Sequence, residues 1–216
     1  MGKVTSVDVA NKAGVSRSAV SRVFTPGASV SKSTEDKVRA AATSLGYRPN
    51  VLARSLITGR SRIIGLVVAY LENLFYPEAI ERLSKSLQEQ GYHVLVFMAS
   101  NDHAATQKVI DELLDYQVDG IIAASVGLSN DLTQRCDDLG IPVVLFNRRQ
   151  EGKRLPSVTS DNVQGGRKLA DFLIQGGHEK IAYIAGREGA STQIDRERGV
   201  TEGLAAAGRK LFRRGL

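Results

Sequence analysis

From Arg62 onward, five short apolar runs recur: IIGLVVA, HVLVFMA, VDGIIAA, PVVLF and KIAYIAG. Each is followed by residues with helical spacing, near 77–91, 104–116, 129–139, 162–176 and 193–207. A strand covered by helices on both faces reads as a near-continuous apolar run rather than an alternating one. The alternation therefore predicts βαβ units on a parallel sheet. Ligands of such sheets bind in the crevice beyond the carboxyl ends of the strands. Those ends carry YLENLFY (70–76), SND (100–102), Ser125, NRR (147–149) and GREG (186–189).

The residues before this alternation follow a helical rhythm only. Thr5 or Ser6 can cap a short helix running to Ala13, which Gly14 breaks. VSRSAVSRVF, from Val15 to Phe24, supplies a second helix, with Ser16 as its cap. TPGASVS is a loop of turn formers. Ser31 or Ser33 then caps a third helix with Glu35 and Asp36 in its first turn, where the macrodipole favours acids. Val38, Ala41, Ala42 and Leu45 form its apolar side, and Gly46 ends it. Two short helices meeting at a glycine-containing turn and braced by a third make a helix-turn-helix.

On the second helix, Arg17, Ser18, Ser21 and Arg22 share one arc, while Ala19, Val20, Val23 and Phe24 share the opposite one. The polar arc holds two guanidiniums and no carboxylate, whereas a merely solvated face mixes both signs. Residues 1–60 carry 10 Lys and Arg against 3 Asp and Glu, a balance of 10 − 3 = +7 that exceeds the whole chain's +6. That asymmetry is the electrostatic footprint of a nucleic-acid-binding module. A basic membrane-surface helix needs a broad Leu, Trp or Phe face, which is not seen. The alternative is an ordinary amphipathic helix whose arginines meet only water.

GYRPNVLARSLITGRS, 46–61, links the two regions. Asn50 can cap a short helix from Val51 to about Thr58, with Leu52, Ala53 and Leu56 on its apolar side. Two turns are marginal in water, so this segment needs a partner to become helical.

Taken in order, TSVDVANKAGVSRSAVSRVF and VSKSTEDKVRAAATSLGYRPNVLARSL resemble the DNA-binding head and hinge of the LacI/GalR family of bacterial regulators. The likeness continues through GYHVLVF, VDGIIA, IPVVLFNR, SDNVQGGRKLADFLIQGGHEKIAYIAG and DRERG. It implies a helix-turn-helix head over 1–46, a hinge helix over 47–61, and a periplasmic-binding-protein-like α/β domain. That domain has an N-terminal lobe over 62–160 and the start of a C-terminal lobe over 161–216. It also implies a homodimeric regulator, most often a repressor, whose partners are double-stranded operator DNA and a small effector such as a sugar. Arg17, Ser18 and Arg22 match the positions that enter the major groove, where an arginine forks onto guanine. Ser16 and Ser21 suit phosphate contacts. Leu56, with Ala53 beside it, matches the leucine that wedges into the minor groove; packing on the next domain is its other reading. Asn50 belongs to the same set. Effector sites match at Asn73, Phe75, Tyr76, Asn147, Asp161 and Arg196. Phe75 and Tyr76 would stack on a sugar or base face, and Asn147 and Arg196 would donate, with Arg198 a nearby alternative. Asp161 could instead simply cap the next helix, and Phe75 could be core.

An enzyme is the rival class. No G-x-G-x-x-G follows the first apolar run, and AGREGAS lacks the Walker lysine pattern. His93, His103 and His178 are scattered, without metal-ligand spacing to Cys136. No cofactor, metal or catalytic set is expected. A protein binding any DNA sequence is a further alternative. Cys136 is the sole cysteine. That excludes an intramolecular disulfide and, with no apolar leader in MGKVTSVDVANKAG, points to the cytoplasm. The longest apolar runs are too short to span a bilayer. Family chains continue well beyond residue 216. The sequence is accordingly expected to be truncated, with apolar faces from Ile181 to Leu204 left without partners.

Overall fold

The computed structural model describes residues 4–25, 27–49, 59–69, 71–99, 103–150 and 155–215, with side chains omitted at 103–105. The hinge positions Asn50, Ala53 and Leu56 lie outside the described residues. The chain divides into two compact units, Met1–Gly59 and Arg60–Leu216.

The first unit is all helical, with α1 (Ser6–Ala13), α2 (Arg17–Val23) and α3 (Lys32–Leu45). Of the two candidate caps for α1 it is Thr5 that serves. Its hydroxyl accepts from the Asp8 amide, and the Asp8 carboxylate reaches back to the Thr5 amide at 2.8 Å. Those bonds from Thr5 hold the Asp8 carboxyl below its ordinary value. Gly14 closes α1 in the left-handed conformation (φ 65°), which costs glycine little. The next amide, Val15, then bonds back to the Ala10 carbonyl at 3.0 Å. Ser16 caps α2 and Ser31 caps α3. Val9, Ala10, Val20, Val23, Val38, Ala41 and Ala42 form one core shared by all three helices.

The second unit opens on β1 (Ile63–Val68), α4 (Phe75–Glu89), β2 (His93–Met98), α5 (His103–Asp115), β3 (Gly120–Ala124), α6 (Asn130–Asp138) and β4 (Val143–Phe146). β5 (Ser157–Val158), α7 (Asn162–Gln175), β6 (Ala182–Ile184), α8 (Ser191–Ala206) and β7 (Arg213–Gly215) follow. Five strands pair in parallel in the order β2-β1-β3-β4-β5. Alternate residues of β1 serve opposite faces. Val67 packs with Ile110 and Leu113 of α5 and with Leu132 and Cys136 of α6. Leu66 and Val68 pack with Tyr76 of α4. Cys136 is thus a packing residue, and burial pushes its thiol pKa up. β2 departs from the fully buried pattern. Val96 and Met98 are about half exposed, because β2 is the edge strand. The chain enters this unit under a clamp: the Asp119 carboxylate accepts from the amides of Ser61 and Arg62 and from the Ser61 hydroxyl, at 2.8–3.1 Å.

The expectation of partnerless apolar faces from Ile181 to Leu204 is corrected for three of these residues. Ile181, Val200 and Leu204 share a core with Ala170. Within the same stretch Ile184 and Ile194 remain exposed, and further exposed apolar surface lies on α7 at Phe172 and Leu169. β7 also pairs in parallel with β6. α7 and α8 approach closely because both present glycine. A Cβ at Gly199 would collide with the Val163 carbonyl oxygen, and one at Gly166 would lie 2.9 Å from the Val200 amide nitrogen.

Candidate nucleic-acid interface and ligand crevice

In the first unit, the core decides which side of α2 faces outward. Val20 and Val23 are buried, and Ala19 and Phe24 are half-buried. Rotation of the helix is thereby fixed, and Arg17, Ser18, Ser21 and Arg22 are all exposed on the other side. Neither guanidinium pairs with a carboxylate among the described residues. Ser16 caps the helix by accepting from the Ala19 amide at 3.2 Å, and it shares a 2.9 Å hydrogen bond with Ser18. The predicted polar arc is therefore a real surface. Its cationic groups are free to meet an external anion, and a helix start with its amides lies beside them.

In the second unit, the carboxyl ends of β3 and β4 and the first turn of α4 build one polar cluster. Ser125 follows β3 and Asn147 follows β4, both with positive φ (58° and 68°). Such a conformation is uncommon for a non-glycine residue and costs on the order of 1 kcal/mol or more. Here it turns both side chains toward Tyr76. The Asn147 amide donates to the Tyr76 hydroxyl at 2.8 Å and to the Ser125 hydroxyl at 3.1 Å, and the two hydroxyls bond each other.

This arrangement corrects one expectation. Phe75 and Tyr76 open α4, with Asn73 accepting from the Phe75 amide at 3.0 Å. Tyr76 is only 3% exposed, so its ring offers no face for stacking. Its hydroxyl instead positions Asn147. Phe75 is 46% exposed, but one face is stacked on Phe146 at 5.9 Å, and its ring also meets Tyr76 edge-on. Asp161 caps α7 by accepting from the Gln164 amide at 2.9 Å.

Arg196 is exposed on α8, and its Nε donates to Asn162 Oδ1 at 2.8 Å. Asn162 is buried and donates in turn to the Ser160 carbonyl, so the guanidinium is held from behind. Arg198 lies 3.4 Å from Asp195 on the same helix. Ser125 and Arg149 are expected at the crevice only as strand-end residues, and Asn162 and Asp195 are not expected there. Position just beyond β3 and β4 marks Ser125 and Arg149, but their partners come from helices distant in sequence. Among the described residues, no group of three His, Cys, Asp or Glu could hold a metal, and no helix is long and apolar enough to cross a membrane.

Comparison with known proteins bears on both surfaces. Residues 6–50 match the family model of bacterial regulatory proteins of the lacI family. Residues 61–214 match that of periplasmic binding proteins and the sugar binding domain of the LacI family. The chain is 34% identical over 205 residues to the HTH-type transcriptional regulator RegA of Clostridium saccharobutylicum, covering 94% of this chain and 62% of that protein. It is 35% identical over 195 residues to the maltose regulon regulatory protein MalI of Escherichia coli, covering 90% and 57%. A crystal structure of the lac repressor dimer bound to operator and the anti-inducer ONPF superposes with a TM-score of 0.84 at 28% identity, over 99% of this chain and 65% of that one. The chain thus spans about three fifths of the length of these relatives. With both units matched in order, the chain belongs to the LacI family of bacterial regulatory proteins.

Proposed function

We propose that the protein is a sequence-specific DNA-binding regulator of transcription, acting in the cytoplasm as a homodimeric repressor under the control of a small sugar-like effector. The observation that carries this reading is the exposed, carboxylate-free arc of Arg17, Ser18, Ser21 and Arg22 on a helix fixed by its own core. Arg22 and Arg17 read base edges, where a bidentate arginine–guanine contact discriminates by about 1–3 kcal/mol. Ser18 sits between base and phosphate, while Ser16 and Ser21 serve phosphates. Asn50, Ala53 and Leu56 contribute the hinge contacts. The effector lies against Asn147 and Arg196, with Phe75, Asn73 and Asp161 at the margin and Tyr76 behind Asn147. Support comes from the relatives: one is a maltose regulon regulator, and one solved structure is a lac repressor dimer on its operator. No enzymatic step is part of this reading, since the matched families and relatives are regulatory proteins.

The test is selection of bound DNA from a random pool, repeated with Arg22→Ala. A defined, two-fold related site is expected, and Arg22→Ala should lower the preference for it over random DNA by about tenfold or more. Equal weakening on every sequence would reduce Arg22 to a phosphate contact. Recovery of no preferred site at all would favour non-specific binding.

A further inference from the structure

One bidentate ion pair in the second unit crosses from one lobe to the other. Arg149, in the segment after β4, grips Asp195 of α8 with both terminal nitrogens, at 2.6 and 2.7 Å. Its own amide donates to the Ser191 hydroxyl at 3.0 Å. Both acceptors are buried, Asp195 to 4% exposure and Ser191 to 6%. Fork-to-fork pairing of this kind fixes orientation as well as distance. It also joins the two walls of the crevice at adjacent points: Asn147 stands two residues before Arg149, and Arg196 one residue after Asp195.

We infer that Arg149 is a positioning residue, which through Asp195 holds the lobes closed and sets the span between Asn147 and Arg196 that a ligand must bridge. The meaning of that span for an effector rests on the function proposed above. The physics of the clasp does not. If the lobes part, Asp195 keeps, among the described residues, the Arg198 guanidinium at 3.4 Å along its own helix. Parting the lobes breaks both charge-assisted bonds of the fork at once. Separation is therefore opposed until something else occupies the crevice or takes over the charge.

The experiment measures lobe separation directly, without DNA or effector. Nitroxides are placed at Gln88→Cys on α4 and Lys168→Cys on α7, both exposed. Cys136 is 1% exposed and stays unlabelled. The unsubstituted clasp should give one narrow distance. Arg149→Gln should lower the ratio of closed to open molecules by on the order of tenfold, and Asp195→Asn should reproduce it. Arg149→Lys, which keeps the charge but not the fork, should fall between. An unchanged distribution in Arg149→Gln, with far-UV circular dichroism intact, overturns the inference. So does a change that Asp195→Asn, folded, fails to reproduce. Should Asp195→Asn not fold, the two Arg149 variants decide. Arg149 is 43% exposed, so they leave no large cavity. Failure to bind any DNA would count against the proposed function and leave these distances untouched.

Discussion

Two adjacent glycines on α7 should respond to the same substitution with opposite signs. Gly165 is exposed, and a Cβ built there meets nothing within 4 Å. Alanine at this site gains only the helix preference over glycine, so Gly165→Ala should stabilise by about 0.5–1 kcal/mol. Gly166 is buried against α8. Its Cβ would meet the Arg196 carbonyl oxygen, lie 2.9 Å from the Val200 nitrogen and 3.1 Å from the Gly199 carbonyl carbon. All three are backbone atoms, so no side chain can rotate away. Ordinary contact begins near 3.4 Å, so the helices must part by at least 3.4 − 2.9 = 0.5 Å. A gap of that size forfeits a quarter or more of each dispersion contact along the seam. Overpacking of this kind costs about 1–3 kcal/mol. Rigid neighbours put this case at the upper end, and the helix preference returns about 1 kcal/mol. The net expectation for Gly166→Ala is a loss of about 2 kcal/mol. Urea unfolding followed by circular dichroism should show this as a midpoint about 1 M lower, for a slope near 2 kcal/mol per M. If Gly166→Ala raises the midpoint as Gly165→Ala does, the close approach of α7 and α8 is refuted.

Tyr76→Phe should cost about 1–2 kcal/mol of stability, because it leaves the Ser125 hydroxyl and Asn147 amide short of a partner in a buried setting. A double-mutant cycle with Asn147→Ala should give a coupling of about 0.5–1.5 kcal/mol, and zero coupling would dissolve the cluster. Asp8 has a folded pKa below its unfolded one, because of its bonds with Thr5. Its contribution to the head is therefore fully present above the ordinary Asp value of about 3.9 and is lost as pH falls through the lowered folded value. Acid titration of α1 helicity should reveal this loss in the wild type and its absence in Asp8→Ala.

The local arithmetic of the sequence settled the elements. Caps, glycine stops and apolar spacing set α1, α2 and α3 and the exposed arc of α2, because those signals lie within a few residues of what they control. The apolar runs placed β1 to β4 and β6 in the same way. β5 and β7, of two and three residues, were not legible. Ser157 and Val158, and Arg213 to Gly215, are exposed or half-buried, and they become strands only because a neighbour offers its backbone. The crevice divides along the same line. Asn147 stands at a strand's carboxyl end and Arg196 is named by resemblance to the family, whereas the inward role of Tyr76 is marked by neither. An aromatic beside another aromatic reads equally as a stacking face or a buried post. Pairing with Ser125, 49 residues away, turned it inward. The clasp between Arg149 and Asp195 joins residues 46 apart. No periodicity encodes it, since which of several arginines meets which acid is decided only when the lobes close and one carboxylate loses its water.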